Sequence, residues 1–166
     1  MNTDFPPVLP CAEQAGLLAA INAIADPAEA PAVAARLRDF AASPALAGLD
    51  GQWSARLLSQ LNDRLTERLI TLLVPRYRLP TVDWCWLALG SEGRHEQSFI
   101  TDQDNGLVFA AVDQREADAM RALFVPFAQA VNQHLAASGF ALCSGDVMAG
   151  NPVSYTHLTL PTKRIV

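Results

Sequence analysis

Apolar residues recur at helical spacing over residues 12–74, and then the period changes. Leu17, Leu18, Ile21 and Ile24 lie three and four positions apart, which predicts a helix from Ala12 to about Ile24. Asp26-Pro27 breaks it, because proline disfavours helix in the residue before it. A second helix is predicted from Pro31, a favourable first-turn residue, to Ala42, with Val33, Leu37 and Phe40 on its inner face. Ser43-Pro44 and the glycines at 48 and 51 mark a loop. Then Trp53, Leu57, Leu61, Leu65 and Leu69 recur every fourth residue, with Leu58, Leu72 and Leu73 beside them. Arg56, Asn62, Asp63, Arg64, Glu67 and Arg68 take the opposite side and read as a solvated face. Pro75 stops this long amphipathic helix.

Val82 to Leu89 is nearly all apolar, the mark of a strand covered on both faces, and Asn105 to Val112 repeats the pattern. Helical spacing returns from Gln114 to Ala137 through Met120, Leu123, Phe124, Phe127, Val131 and Leu135. Pro126 within it predicts a kink or a boundary, and Ser138-Gly139 the end. Phe140 to Cys143 is a short third strand, followed by a turn through Ser144-Gly145-Asp146. The expected class is therefore α+β, with an N-terminal helical layer over residues 1–78 and a small sheet flanked by helices over 79–152.

Composition narrows the class of function. Of 166 residues, 51% are apolar and 17% charged, which suits a packed globular domain rather than a disordered chain. A net charge of −5 argues against a general nucleic-acid surface, although bound metal could still bring in a nucleotide. Cys11, Cys85 and Cys143 show no metal-ligand spacing and read as scattered buried thiols. No secretory start and no membrane-length apolar run are visible, so the expected setting is the cytoplasm, with no membrane partner.

The chemistry concentrates at 86–109. A strand ends at Gly90-Ser91, a short polar helix follows from about Glu92, and a second strand opens with Asp102-x-Asp104. Carboxylates two residues apart on a strand point to one face. They can hold one or two Mg²⁺ ions, or Mn²⁺, in the way carboxylates share such ions with substrate phosphates. The Gly90-Ser91 turn offers N–H groups to a phosphate, and Arg94 lies within reach to pair with one. Each part alone is a common turn or surface feature; together they predict one metal–phosphate site.

The last residues differ in character. Lys163 is the only lysine in the chain, and Val153 to Val166 resembles translated sequencing-adapter read-through. Residues 153–166 are therefore expected to be a non-native tail on a truncated chain, and His157 and Lys163-Arg164 receive no functional weight.

Gly90-Ser91 with Asp102-x-Asp104 resembles the signature of the DNA-polymerase-beta-like nucleotidyltransferases. The longer strings Gly90-Ser-Glu-Gly-Arg-His-Glu-Gln97 and Thr101-Asp-Gln-Asp-Asn105 are similar to the nucleotidyltransferase domain related to the N-terminal part of the protein-PII uridylyltransferase. Cys143 to Pro152 resembles that family's later strand–turn motif, and the preceding helices, with Asn62-Asp63 in the third, fit it too.

The resemblance implies a polymerase-beta-like sheet and metal binding by Asp102 and Asp104. It implies phosphate contact at Gly90 and Ser91, with Arg94 the candidate for the triphosphate. Glu96 and Gln97 match the family string and could orient the loop; Asn105 could fix the strand opening by side-chain bonds to backbone. Superfamily members use a third carboxylate as base or metal ligand, and Asp146 is the candidate. His95 reads as an exposed loop residue.

The implied reaction moves a nucleoside monophosphate from an NTP to an acceptor hydroxyl, such as a tyrosine on a regulatory protein, with release of pyrophosphate. The rival is a catalytically silent nucleotide-binding module that signals through the helices. A purely structural interaction domain would leave the polar cluster at 90–105 without a purpose.

Overall fold

A computed structural model of the chain describes residues 12–48, 50–96, 102–151 and the backbone of 155–159. The helices come first: α1 (Ala12–Ala23), α2 (Ala30–Ala41), the short α3 (Pro44–Ala47) and α4 (Gly51–Leu73). Side-chain caps set their starts. Asp26 accepts the Ala28 N–H at 2.8 Å in the 3₁₀ turn Pro27–Glu29 that leads into α2. Asp50 accepts the N–H groups of Gln52 and Trp53 at 3.0 and 3.2 Å, and so opens α4. Leu57, Leu58, Leu61, Leu65, Leu69 and Leu73 are buried along one side of α4, as their spacing requires.

The sheet region begins with β1 (Trp84–Ala88) and the four-residue helix α5 (Gly90–Gly93). Then come β2 (Asp102–Gln103), β3 (Asn105–Ala111), the long helix α6 (Gln114–Ala137), β4 (Ala141–Leu142) and β5 (Tyr155–Thr159). β3 is central, antiparallel to β1 and parallel to β5. β2 pairs with β4 in parallel as a second, two-stranded sheet. Strand β5 falls within residues 153–166, the expected non-native tail; its backbone lies alongside β3 from Leu107 to Ala111. The lead-in 1–10 and the ends of that stretch lie outside the described residues.

Helices α1, α2, α4 and α6 and strand β3 close around one core that runs from Leu17 to Ala149. Its aromatic centre packs Trp84 of β1 on Phe124 and Phe127 of α6, with ring centroids 5.8 and 5.6 Å apart, and stacks Phe109 of β3 on Phe124 at 5.3 Å. Arg38 ties α2 to the end of α6 by donating to the Ser138 carbonyl at 2.6 Å.

Four expectations change. β1 is not covered on both faces: Trp84 and Trp86 pack inward, while Cys85 and Leu87 are exposed. Helix α6 covers one side of it, through Phe124 and Phe127 against Trp84, and an apolar run cannot show which side lacks a cover. Pro126 ends nothing, since α6 runs through it from Gln114 to Ala137. The missing N–H costs one helical bond, but Phe124 and Phe127 on either side are fully buried and hold the helix to the sheet. Cys85 is exposed and Cys143 half-buried, so neither is the buried thiol expected. The expected strand bounds also contract by a residue or more at the ends of β1, β3 and β4, where pairing stops.

Candidate active site

The register of β1 on β3 places the glycine turn against the carboxylates. Ala88 pairs with Asn105, so the next residue on each strand meets its counterpart: the Leu89 N–H donates to the Asp104 carbonyl at 2.8 Å. Gly90 then turns away with φ +54°, and a Cβ there would sit 2.1 Å from Asp104 Oδ2. Only glycine meets both demands, a left-handed backbone and no side chain. The carbonyls of Leu89, Ser91 and Glu92 accept the N–H groups of Gly93, Glu96 and His95 and curl the chain into α5. At four residues this helix is too short for an appreciable macrodipole, so backbone N–H groups are what the turn can offer.

The parallel pairing of β2 with β4 brings in the second half of the site. Asp102 lies beside Ala141 and Gln103 beside Leu142, so Cys143 arrives next to Asp104. Single ligand atoms of Asp102, Asp104 and Cys143 all lie within 4.8 Å of one another. Asp102 is exposed, Gln103 buried and Asp104 half-buried, the alternation that turns both carboxylates to one side.

Glu92 is 8% exposed and faces this group. Burial, and then the charges of Asp63, Asp104 and Asp102, push its carboxyl up to about 7. Asp63 reaches the site from α4; burial raises its carboxyl too, and its Oδ2 lies 3.9 Å from Nδ1 of His95. Asp63 is thus turned toward the acidic group rather than standing on a wholly solvated face.

The donor set fits a divalent cation. Two carboxylates converge, and the repulsion that adds to burial in raising Glu92 is what a cation would relieve. Oxygen donors suit Mg²⁺, whereas the Cys143 thiol is a soft ligand that Mg²⁺ would leave aside and a softer ion would accept. Water would fill the remaining positions on either ion.

The other predicted residues fall in different places. Ser91 is half-buried in α5, its carbonyl engaged by Glu96. Arg94 Nε donates to Glu96 Oε2 at 2.8 Å, with both side chains largely exposed. Such a pair is worth only about 0–1 kcal/mol, so a phosphate could compete for Arg94. Asp146 is exposed on the turn after β4, at φ +56°, and stands outside the group of three. His95 is exposed, as its position in the loop suggested. Gln97 lies outside the described residues.

Asn105 is buried; its Oδ1 accepts the Ala149 N–H at 2.8 Å, and its own N–H donates to the Val147 carbonyl at 3.1 Å. The sequence reading missed Glu92, Cys143 and Asp63 as members of the site. Asn62-Asp63 in the third helix was the one available signal, while the approach of Cys143 depends on a parallel pairing that no local pattern announces.

A groove of about 740 Å³ lies at the opposite end of β1 and β3, between Thr81, Trp84 and Val112, away from the carboxylates. Among the described residues no helix is long and apolar enough to cross a membrane.

Fold and site together define an α+β protein with an acidic, cation-compatible site where a small sheet meets a glycine turn. The chain belongs to the family described as "Putative nucleotidyltransferase DUF294", which matches residues 35–159. Membership gives the chain a nucleotidyltransferase role in general terms, and such enzymes commonly use divalent metals. The match takes in α4, the whole of the site and β5. Neither the curated proteins nor the solved structures gave a match.

Proposed function

We propose that this chain transfers a nucleoside monophosphate from an NTP to an acceptor hydroxyl, in the manner of the protein-PII uridylyltransferase domain it resembles. The observation that carries the proposal is the convergence of Asp102 and Asp104 beside Gly90 in a chain of this family. Asp102 and Asp104 would hold Mg²⁺ or Mn²⁺. When bound, that ion supplies charge neutralisation at the triphosphate and orients the reacting oxygens.

The chain's own residues do the rest. The backbone at Gly90 and Ser91 contacts phosphate, and Gly90 lets it approach because no side chain stands between the turn and Asp104. Arg94 exchanges its exposed partner Glu96 for the triphosphate. Asp146 is the proposed third carboxylate, brought in by movement of its exposed turn or acting through water. The acceptor is a hydroxyl on a regulatory protein, and the setting is cytoplasmic. Catalysis rests on positioning and charge compensation, without a covalent enzyme intermediate.

One observation favours the alternative of a silent nucleotide-binding module: Asp146 stands outside the convergent group. Labelled NTPs with Mg²⁺ and candidate acceptor proteins separate the two. Pyrophosphate release and labelled acceptor, both lost in Asp102→Ala/Asp104→Ala, support the transferase. Nucleotide-dependent thermal stabilisation without pyrophosphate release supports the silent module, and transfer that survives in the double variant refutes the site.

A further inference from the structure

The side chains that alternate with the two aspartates point the other way, into the protein, and meet one residue of α6. Asn132 is 5% exposed and its amide is fully engaged. Its Nδ2 donates to Gln103 Oε1 at 2.8 Å and to Asn105 Oδ1 at 3.0 Å, and its Oδ1 accepts the Gly150 N–H at 2.8 Å. Its backbone carbonyl accepts from Gln103 Nε2 at 3.1 Å, and the same Nε2 donates to the Phe140 carbonyl at 3.0 Å.

Gln103 is the residue between the aspartates, and Asn105 is the residue after them. Asn132 therefore grips the carboxylate strand on both sides of Asp104. Through Phe140 and Gly150 the same network holds the chain just before β4 and the turn that follows it, the two flanks of Cys143 and Asp146. Gly150 is built for this contact: a Cβ there would fall 2.8 Å from Asn132 Oδ1 and 3.0 Å from the Gln129 Cα.

We infer that Asn132 is the positioning residue of the site: it touches no substrate, but its amide fixes the spacing of Asp102 and Asp104 and so sets their affinity for a divalent cation. The inference rests on the reading of these aspartates as cation ligands. It also goes beyond a packing role. A buried amide used only to fill space would bond to whatever lay nearest, whereas each of Asn132's side-chain bonds ends on the carboxylate strand or on the turn after β4. Donor and acceptor must both be present and correctly placed, because a mispaired buried polar group distorts or destabilises its surroundings. Asn132→Asp keeps the shape but sets an acceptor oxygen against Gln103 Oε1 and Asn105 Oδ1, which have no hydrogen to give it.

The test is Mn²⁺ titration of the whole chain, followed by the electron paramagnetic resonance signal of free Mn²⁺. Wild type, Asp102→Asn/Asp104→Asn, Asn132→Asp and Gly150→Ala are compared, each at a temperature where circular dichroism shows it folded. We expect Mn²⁺ binding by the wild type, none by the double aspartate variant, and an affinity lowered about tenfold or more in Asn132→Asp. Gly150→Ala, which crowds the same amide from the other side, should weaken binding in the same direction. It stands in for Asn132→Asp should that variant fail to fold.

Folded variants with lowered melting temperature but wild-type Mn²⁺ affinity would show a merely structural role and overturn the inference alone. Absence of Mn²⁺ binding by the wild type, or its survival in Asp102→Asn/Asp104→Asn, would overturn the cation reading and the inference with it.

Discussion

Glu92 offers a sharp test of the site's electrostatics. Its carboxyl is raised from an ordinary value of 4.5 to about 7, by burial first and by Asp63, Asp104 and Asp102 after that. A carboxyl raised in the folded state favours folding while it stays protonated. The advantage is whole below about pH 4.5 and is lost as pH climbs through about 7. The shift corresponds to a cost on the order of 3 kcal/mol at high pH, at 1.36 kcal/mol per unit.

Glu92→Gln keeps the shape and removes the charge. Urea unfolding of wild type and variant, at about pH 4.5 and about pH 8.5, should show similar stabilities at the lower pH. At the higher pH the variant should be more stable, by up to about 3 kcal/mol. Comparing the two chains at each pH removes the titration of distant groups. Added Mn²⁺ should narrow the gap at high pH, since a cation compensates the same negative charges. A stability difference that does not change with pH, or a wild type that gains on the variant as pH rises, would refute the placement of Glu92 among the carboxylates.

Gly90→Ala should destabilise the fold by about 1–3 kcal/mol in chemical denaturation and abolish nucleotide binding, because its Cβ would collide with Asp104 and its backbone is left-handed. Leu65→Ala, at a fully buried position on α4, should cost about 2–5 kcal/mol by the same assay. Asp113→Ala removes the side chain that accepts the Glu116 N–H at the start of α6 and should cost about 1 kcal/mol. Arg94→Ala should leave stability within about 1 kcal/mol yet weaken NTP binding measured by calorimetry; unchanged binding would remove Arg94 from the phosphate site.

The helices were the most legible part of the sequence, because their apolar spacing and their stops are local. Pro75 after α4 and the fourfold leucine spacing before it need no knowledge of the partners. The outward alternation of Asp102 and Asp104 was legible for the same reason, since it depends only on strand geometry. What could not be read depends on approach through space. Glu92 and Glu96 look alike in the chain, but one is buried among carboxylates and the other is exposed against Arg94. Cys143 joins the aspartates through the pairing of two-residue strands. Gln103 looks like loop polarity until Asn132, far along the chain, is seen to meet it and Asn105 together. The open face of β1 was hidden because its sequence is apolar on both sides.

The central claim is that Asp102 and Asp104 carry a nucleotide through a divalent cation, and calorimetric titration of NTP into the chain tests it most directly. We predict that NTP binds with Mg²⁺ or Mn²⁺ present, binds far more weakly without it, and binds Asp102→Asn/Asp104→Asn only weakly whether or not the cation is present. NTP affinity indifferent both to the cation and to the two aspartates would contradict the account.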